Sequence, residues 1–468
     1  MTKRLHIALI ALLGLSVLAA CRQANPEEPS GEVQQVTEGP VNVSMDLSLK
    51  GFGEDNTLTK GDFYEEGNDF VAVNDSLFYD HEKIVKEALV FVFDAKGVSD
   101  PKDAKFEKAV NLEYADILPN NIGRVQFKLD KPYESIAVLI LANYGLKPTD
   151  VSVTAGTTLE NVVKYLSDPT NEAGSVHAIK SDQSKYLTEG VPMYGWKVFG
   201  STGKLRFYSG MTTPLTVCGF TSVTELENYA KKDTGIGTVR DTDVVPMEFA
   251  LARLQLRYNY KARGTGKESI AADSVTIKSV KLNVYKDKFY RLPSNLLDLT
   301  LPRTRETLPN PYDNISTDYV KNGDASDFNT GDVTFVEIPS KSNKSTAFVA
   351  YVPEISIKSV EDAIAAAMAA STTFEEPSLE VKVEVKVREK TDGSVVTYTY
   401  ARNKITVDDG TNPPREYNNY GDEGWVSWLS FKTNQARKDK DNNVISIGTR
   451  YSLVRHYSYE WLAVGVNE

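Results

Sequence analysis

A strict alternation of apolar and polar residues marks the segment 41–50, VNVSMDLSLK. Successive side chains of an extended strand point to opposite faces, so the apolar residues share one face that must be covered. The next segment, GFGEDNTLTKGDFYEEGND (51–69), is too polar to continue the strand. The pattern therefore predicts a first strand whose buried face carries Val41, Val43, Met45, Leu47 and Leu49.

Short apolar runs between turn signals recur along the rest of the chain and predict further strands. In the run LEVKVEVKV (379–387), apolar residues alternate with charged ones, and Asp392-Gly393 supplies a hairpin turn after it. This alternation is typical of an antiparallel sheet with one solvated face. The predicted strands lie within 88–97, 123–130, 135–145, 251–260, 273–285, 345–354 and 379–400.

Helical spacing is confined to three short segments, 157–167, 222–232 and 359–371. The fold class is thus all-β, mainly antiparallel, with a few short helices. Strands joined by short turns predict sandwiches, and 468 residues are enough for two of them. We expect an N-terminal β-sandwich domain over 41–240, which begins with the first strand and polar loop of 41–60, and a C-terminal β-sandwich domain over 241–468.

The N-terminus has the pattern of a secretory signal, because Lys3 and Arg4 precede an apolar stretch. The tetrapeptide LAAC (18–21) resembles the bacterial lipobox, whose cysteine becomes the acylated first residue of the mature lipoprotein. We therefore expect a signal peptide over 1–20 and lipidation of Cys21; the alternative is an ordinary signal with a stray cysteine. The Pro-, Glu- and Gln-rich residues 21–40 are typical of a flexible tether.

Composition narrows the classes of function. Cys218 is the only cysteine besides Cys21, so no disulfide is expected within the mature chain. The formal net charge of −11 argues against binding of nucleic acid, which draws its affinity from clustered Lys and Arg.

The chain offers little catalytic chemistry. His81, His177 and His456 lie far apart without Cys or Glu at ligand spacing, so we predict no metal site. The segment DKDNN (439–443) resembles a calcium loop faintly, but a polar hairpin tip is the better interpretation because the glycine and closing Glu are missing. No nucleophile, zinc or phosphate motif occurs, so we predict no catalytic residues and no cofactor.

Several segments together resemble the FimA-type fimbrillins, the lipoprotein pilus subunits of Bacteroidetes, and they run in the family's order over nearly the whole mature chain. They are ALVFVFDAKG (88–97), LILANYG (139–145), VPMYGW (191–196), MEFALARLQLRY (247–258), FVAYVPE (348–354) and YSLVRHYSYEWLAV (451–464). The resemblance implies two transthyretin-like β-sandwich domains and assembly by strand exchange. In such subunits a protease cuts after the first strand, and a strand of the next subunit fills the groove that is left.

The resemblance also implies the processing site and the partners. The family's cut follows an arginine, and none occurs between Arg22 and Arg124. Lys60, followed by Gly61, is the best-placed basic residue, and Lys50 is second. The expected partners are a stalk subunit that donates its C-terminal strand, the outer membrane through the acyl chains before processing, and a host or bacterial receptor.

Two positions in a fibre stay open at the level of sequence. Stalk subunits carry a donor strand beyond the closing segment, whereas only HYSYEWLAVGVNE follows Arg455, which favours a tip subunit that accepts a strand. An anchor subunit would instead retain its first strand and its lipid in the outer membrane, and the missing arginine favours this alternative.

A different class is a surface glycan-binding lipoprotein, because the chain is 10% aromatic. The segment YNNYGDEGWVSW (417–428) would present Tyr420, Trp425 and Trp428 to sugars, together with Trp196 from elsewhere. Packing of these rings in the core is the simpler interpretation. A secreted hydrolase ranks third, since no motif requires it.

Overall fold

The computed structural model describes residues 35–49, 71–73, 78–113, 117–118, 123–168, 171–200, 205–208, 215–216, 244–258, 272–293, 296–297, 329–338, 346–353, 364–373, 378–387, 395–401, 404–418, 437–438, 444–445, 455–456 and 458–463. The predicted signal peptide, Cys21, Lys60, Gly61 and the predicted helix at 222–232 lie outside these residues. The first predicted strand is described from Val41 to Leu49.

Twenty-six strands make up most of the described structure. The first thirteen are β1 (Gln35–Val36), β2 (Val41–Leu49), β3 (Val71–Val73), β4 (Glu87–Asp94), β5 (Lys105–Glu113), β6 (Ile117–Leu118), β7 (Gly123–Leu129), β8 (Ile136–Ala142), β9 (Val176–Ala178), β10 (Met193–Phe199), β11 (Phe207–Tyr208), β12 (Leu215–Thr216) and β13 (Val244–Phe249). The others are β14 (Ala252–Tyr258), β15 (Ala272–Tyr285), β16 (Lys288–Tyr290), β17 (Asn329–Thr334), β18 (Val336–Ile338), β19 (Thr346–Val352), β20 (Ser378–Val387), β21 (Val395–Ala401), β22 (Lys404–Asp408), β23 (Arg415–Asn418), β24 (Arg437–Lys438), β25 (Val444–Ile445) and β26 (Ser458–Ala463).

Three sheets carry the fold. The largest has nine strands in the order β5-β4-β8-β10-β13-β2-β7-β6, with β12 beside β2. A five-stranded sheet has the order β18-β19-β14-β26-β3, and a six-stranded sheet the order β17-β15-β20-β21-β22-β23. Three further pairs are β1–β11, β9–β16 and β24–β25. The pairing is mainly antiparallel, so the predicted fold class is confirmed.

Burial explains two kinds of strand pattern. Every residue of β8 is buried, as are the six central residues of β4, which accounts for their continuous apolar runs. In β20, by contrast, Val381 and Val383 are buried while Lys382 is exposed. This second pattern is the predicted sheet with one solvated face, and β20 pairs with β21 across the predicted hairpin.

Helices are few and short among the described residues, as predicted. The longest described α-helix, Leu159–Ser167, begins after Thr158, whose side chain accepts a hydrogen bond from the Asn161 backbone N–H. The other α-helices are Glu172–Ser175, Tyr186–Glu189 and 364–369, and single 3₁₀ turns lie at Asp80–Lys83, Pro101–Asp103, Pro148–Asp150 and Gln183–Lys185. No described helix has the length and apolar character needed to span a bilayer.

The chain changes sheets between Phe249 and Ala252. Strand β13 pairs with β10 and β2 in the nine-stranded sheet, whereas β14 belongs to the five-stranded sheet. The strand Val244–Phe249 follows the predicted boundary at 240 in sequence but hydrogen-bonds with strands that precede it. The division into two transthyretin-like domains stays a prediction.

Candidate functional site: the first strand and its groove

The first predicted strand, β2, lies inside the nine-stranded sheet with neighbours on both sides. It pairs antiparallel with β7 from Val41 to Leu47. On its other side it pairs parallel with β12 near Val43 and with β13 from Asp46 to Leu49. Both backbone edges of β2 are therefore used, and a short N-terminal strand occupies an internal position of the sheet.

The predicted apolar face of β2 is buried. Val43 and Met45 have no exposed area, Val41 and Leu47 retain 7% and 3%, and Leu49 is partly buried against the same core. Full burial contributes roughly 1.5–3 kcal/mol for each large apolar side chain. The strand is thus bound by its side chains as well as by its backbone.

The register matches these apolar residues with apolar neighbours. On β7, Leu129, Phe127 and Val125 stand opposite Val41, Val43 and Met45. On β13, Val245 and Met247 stand opposite Leu47 and Leu49. We call the space between β7 and the β12–β13 side, which β2 fills, the groove.

A glycine allows one wall of the groove to pack closely. Gly195 of β10 pairs with Met247 of β13. A Cβ atom at Gly195 would clash with the Pro246 carbonyl oxygen and would lie 2.6 Å from the Met247 sulfur. The glycine in the segment VPMYGW is therefore required by the approach of β10 to β13.

Among the described strands, β2 is also the hydrogen-bonded link between two parts of its sheet. The order β13-β2-β7-β6 connects β7 and β6 to the remaining strands through β2. Without β2, the facing edges of β7 and β13 would expose unpaired N–H and C=O groups, which recruit another strand.

One residue of β2 departs from the alternation. Asp46 belongs to the polar set but is only 1% exposed, whereas Asn42 of the same set is exposed. It stands opposite Arg124 on β7 and Val244 on β13. The sequence pattern offered no reason to single out Asp46, because an alternating strand predicts a solvated side chain there.

The chain after β2 returns to a different sheet. Strand β3 pairs antiparallel with β26, with Val71 opposite Glu460 and Val73 opposite Ser458. Strand β26 also pairs parallel with β14, so both of its edges are occupied. The predicted cut between Lys60 and Gly61 would separate β2 in one sheet from β3 in the other.

A buried polar cluster fixes the turn Asp80–Lys83, which comes after β3 in the chain. Arg253 Nη1 donates to Glu82 Oε2 at 3.0 Å, and neither side chain has exposed area. The Tyr351 hydroxyl donates to Glu82 Oε1 at 2.6 Å, and His81 Nε2 lies 2.7 Å from that hydroxyl. These contacts join the turn to β14 and β19.

Burial governs the acid–base properties of this cluster. It lowers the pKa of His81, although Glu82 opposes the shift, and it raises the pKa of Tyr351 well above its ordinary value. Histidine, tyrosine and carboxylate at hydrogen-bond distance are a combination found in active sites. Here all are buried, so the contacts stabilise packing between elements.

Arg455 and His456, which precede β26, bind near Phe249 and Leu251, where the chain passes from one sheet to the other. His456 Nδ1 accepts a hydrogen bond from the Phe249 backbone N–H at 3.0 Å, and the His456 backbone N–H donates to the Leu251 carbonyl at 3.0 Å. Arg455 donates to the Tyr290 carbonyl at 3.3 Å, and its guanidinium lies 5.7 Å from the Tyr194 ring centroid. Arg455 and His456 thus bind next to the point where the chain passes from β13 to β14.

The remaining candidate residues lie in different parts of the chain. Trp196 of β10 is partly buried and packs against the core. Tyr420, Trp425 and Trp428 lie outside the described residues. The hairpin tip 439–443 is also outside them, and the strands that flank it, β24 and β25, pair antiparallel.

Metal ligands do not cluster in the described ranges. His81, His177 and His456 lie in separate surroundings, and no group of three or more His, Cys, Asp or Glu residues that could hold a metal ion is found within those ranges. Cys218 lies outside them.

Comparison with known proteins finds similarity to solved structures. No protein-family model matches the chain, and no curated protein does. Solved structures to which it is similar include the tip fimbrial protein Mfa3 from Porphyromonas gingivalis, at 12% identity and a TM-score of 0.36, covering 90% of this chain and 94% of that one.

Two further similar structures come from the same organism. The fimbrilin FimA has 12% identity and a TM-score of 0.31, with 92% of this chain and 99% of that one covered. The fimbrial anchor protein Mfa2 has 9% identity and a TM-score of 0.22, with 75% of this chain and 78% of that one covered. All three of these similar structures are fimbrial proteins of that organism.

Proposed function

We propose that this chain is a structural and adhesive subunit of a cell-surface fimbria and that it occupies the distal tip. The observation that carries the proposal is the position of β2, a short N-terminal strand that fills an internal groove with both edges paired. Removal of such a strand leaves a site that only another strand of similar pattern fills well.

The proposed route begins with export as a lipoprotein. Cys21 carries the acyl chains that hold the precursor at the outer membrane. A protease then cuts between Lys60 and Gly61, and the fragment that contains β2 leaves with the lipid. A strand from a stalk subunit takes its place in the groove.

The contacts of the fragment support its release as a unit. In the described part of the chain, the residues before Lys60 pair through β1 with β11 and through β2 with β7, β12 and β13. The residues after Gly61 are held elsewhere, by β3 on β26 and by Glu82 on Arg253. A cut between Lys60 and Gly61 would therefore leave the contacts of β3 and Glu82 with the remaining subunit and free only the contacts of β1 and β2.

The surroundings of β26 argue against donation of this strand to another subunit. A donor strand has to leave its own subunit, whereas β26 is enclosed by β14 and β3. The strand is therefore committed to its own sheet. Such a subunit accepts a strand in its groove and keeps its own closing strand.

N-terminal sequencing of the protein recovered from sheared fibres tests the proposal. We expect a start at Gly61, immunogold labelling at the distal ends, and loss of both in a K60A variant. The matched variant K50A should be processed normally, and C21S should lose acylation.

Two outcomes would replace this proposal. Recovery of only the full acylated form at the fibre base would identify an anchor subunit. Binding of glycans by a monomer that never enters fibres would identify a surface glycan-binding lipoprotein.

A further inference from the structure

The polar side of β2 contains a buried carboxylate that the strand does not need in order to fit the groove. Hydrophobic pairing of the other face with β7 and β13 already accounts for the fit of the strand. A serine or asparagine would suffice between apolar positions, as at Asn42 and Ser48, which keep exposed area. Asp46 instead brings a carboxylate into a place with 1% exposure.

A buried carboxylate is a poor choice for stability alone. Its desolvation is unfavourable unless a positive charge or hydrogen bonds compensate it. The residue directly opposite Asp46 on β7 is Arg124, and arginine remains charged at all physiological pH values. Opposite charges at facing positions of antiparallel strands attract, and like charges repel.

The position of Asp46 would also restrict which residue a strand that replaces β2 can carry there. A neutral residue there would leave the charge of Arg124 without its counterpart across the strand pair. A lysine would place two positive charges at facing positions. Selectivity of this kind acts mainly by rejecting wrong partners.

We propose that Arg124 makes the groove selective for an incoming strand with a carboxylate at the position of Asp46. The partner that fits is a strand of alternating apolar residues, with Asp or Glu between its third and fourth apolar positions. This inference rests on the proposed strand exchange and adds to it the chemistry by which the correct strand is chosen.

Peptide binding to the processed chain, which begins at Gly61 in the proposed scheme, tests the inference. The probes are fluorescent peptides VNVSMDLSL and its D46N, D46K and S48K variants, measured by fluorescence anisotropy. The S48K peptide is the matched control, because it changes the net charge by the same single unit as D46N at a position opposite Pro246.

On the wild-type chain we expect the Asp peptide to bind roughly tenfold more tightly than the D46K peptide, with D46N between them and S48K within about twofold of the Asp peptide. On an R124E chain the order of the Asp and D46K peptides should invert. Binding of D46K to that chain also shows that its groove is intact. If R124E binds neither peptide, R124Q replaces it, and there the preference should disappear.

The outcomes separate this inference from the proposed function. Equal affinity of the Asp and D46K peptides on the wild-type chain would overturn the charge selectivity and leave strand exchange in place. An unchanged preference on the Arg124 variants would also overturn it. Failure of every peptide to bind the cleaved chain would overturn strand exchange itself.

Discussion

Arg253 and Glu82 form an ion pair with an N–O distance of 3.0 Å, and neither side chain has any exposed area. The pair is satisfied further by Tyr351, which donates to Glu82, and by Ser458, whose hydroxyl lies 2.9 Å from Arg253 Nε. Removal of Arg253 leaves the buried carboxylate of Glu82 without its counter-charge. We expect R253L to lower the free energy of unfolding by about 3–5 kcal/mol, measured by urea denaturation.

An exposed ion pair provides the control for this prediction. Lys164 lies 3.2 Å from Glu160 on the surface of the helix Leu159–Ser167. We expect E160Q to change the free energy of unfolding by less than about 0.5 kcal/mol. Equal effects of R253L and E160Q would contradict the stabilising role of the buried pair.

Met45 tests the fit of β2 in the groove. The side chain is fully buried opposite Val125. Truncation in M45A leaves a cavity, so we expect a loss of about 2–5 kcal/mol in the free energy of unfolding of the uncut chain. The control is N42A on the exposed side of the same strand, for which we expect less than about 0.5 kcal/mol. A negligible effect of M45A would mean that β2 contributes little to the core.

Asn143 tests the segment LILANYG. Its amide nitrogen donates to the Ile84 carbonyl at 2.7 Å and to the Val191 carbonyl at 3.0 Å, and its amide oxygen accepts from the Lys86 N–H at 2.8 Å. Its φ of 64° lies in the left-handed region. We expect N143A to lose roughly 2–5 kcal/mol, because it removes three hydrogen bonds and because alanine tolerates the left-handed region less well than asparagine does.

The variant N143G separates the two causes. Glycine also removes the hydrogen bonds but adopts positive φ without strain. We expect N143G to be more stable than N143A by about 1 kcal/mol in denaturant titrations. Equal stability of the two variants would show that the backbone conformation carries no cost.

His177 predicts a pH dependence. Its ring contacts Tyr144 and Phe289, with centroid distances of 5.3 and 5.4 Å. Burial, followed by the charges of Arg291 and Lys180, lowers its pKa from 6.5 to about 4. The unfolded state therefore binds a proton before the folded state does, so this contribution to stability is complete above pH 6.5 and is lost as the pH falls toward 4.

An H177F variant isolates that contribution, because phenylalanine retains the ring packing and does not titrate. We expect the wild-type chain to lose roughly 3 kcal/mol relative to H177F between about pH 7.5 and about pH 4. Urea midpoints at intermediate pH values would trace the difference. Parallel stability curves for the two proteins would contradict the lowered pKa.

The strands could be predicted because their signal is local. A period of two residues identifies β2 and β20, and continuous apolar runs identify β4 and β8. The buried residues of β2 follow from the same period. No information beyond a window of about ten residues was needed for any of these.

The partners of the strands could not be predicted in this way. Arg253 and Gln255 alternate with Leu254 and Leu256, a pattern that predicts a solvated polar side of β14. Both polar residues have no exposed area, because the turn Asp80–Lys83 contributes Glu82 from a distant part of the chain. When an element that is distant in sequence buries a residue, the local pattern of apolar and polar residues does not indicate it.

The groove shows the same limit. The apolar residues of β2 indicated a buried face, but not that β7, β12 and β13 are the neighbours of the strand, from positions between 123 and 249. The burial of Asp46 depends on that arrangement and was missed for the same reason. The pairing of β3 with β26 joins residues near opposite ends of the described chain. A local sequence window does not contain both.

The double pairing of β2 has a mechanical consequence. A pull along the strand axis loads the bonds to β7 and β13 at the same time, so that they must shear together. A pull across the sheet would instead open them one after another. A strand seated in this way resists tension along its length.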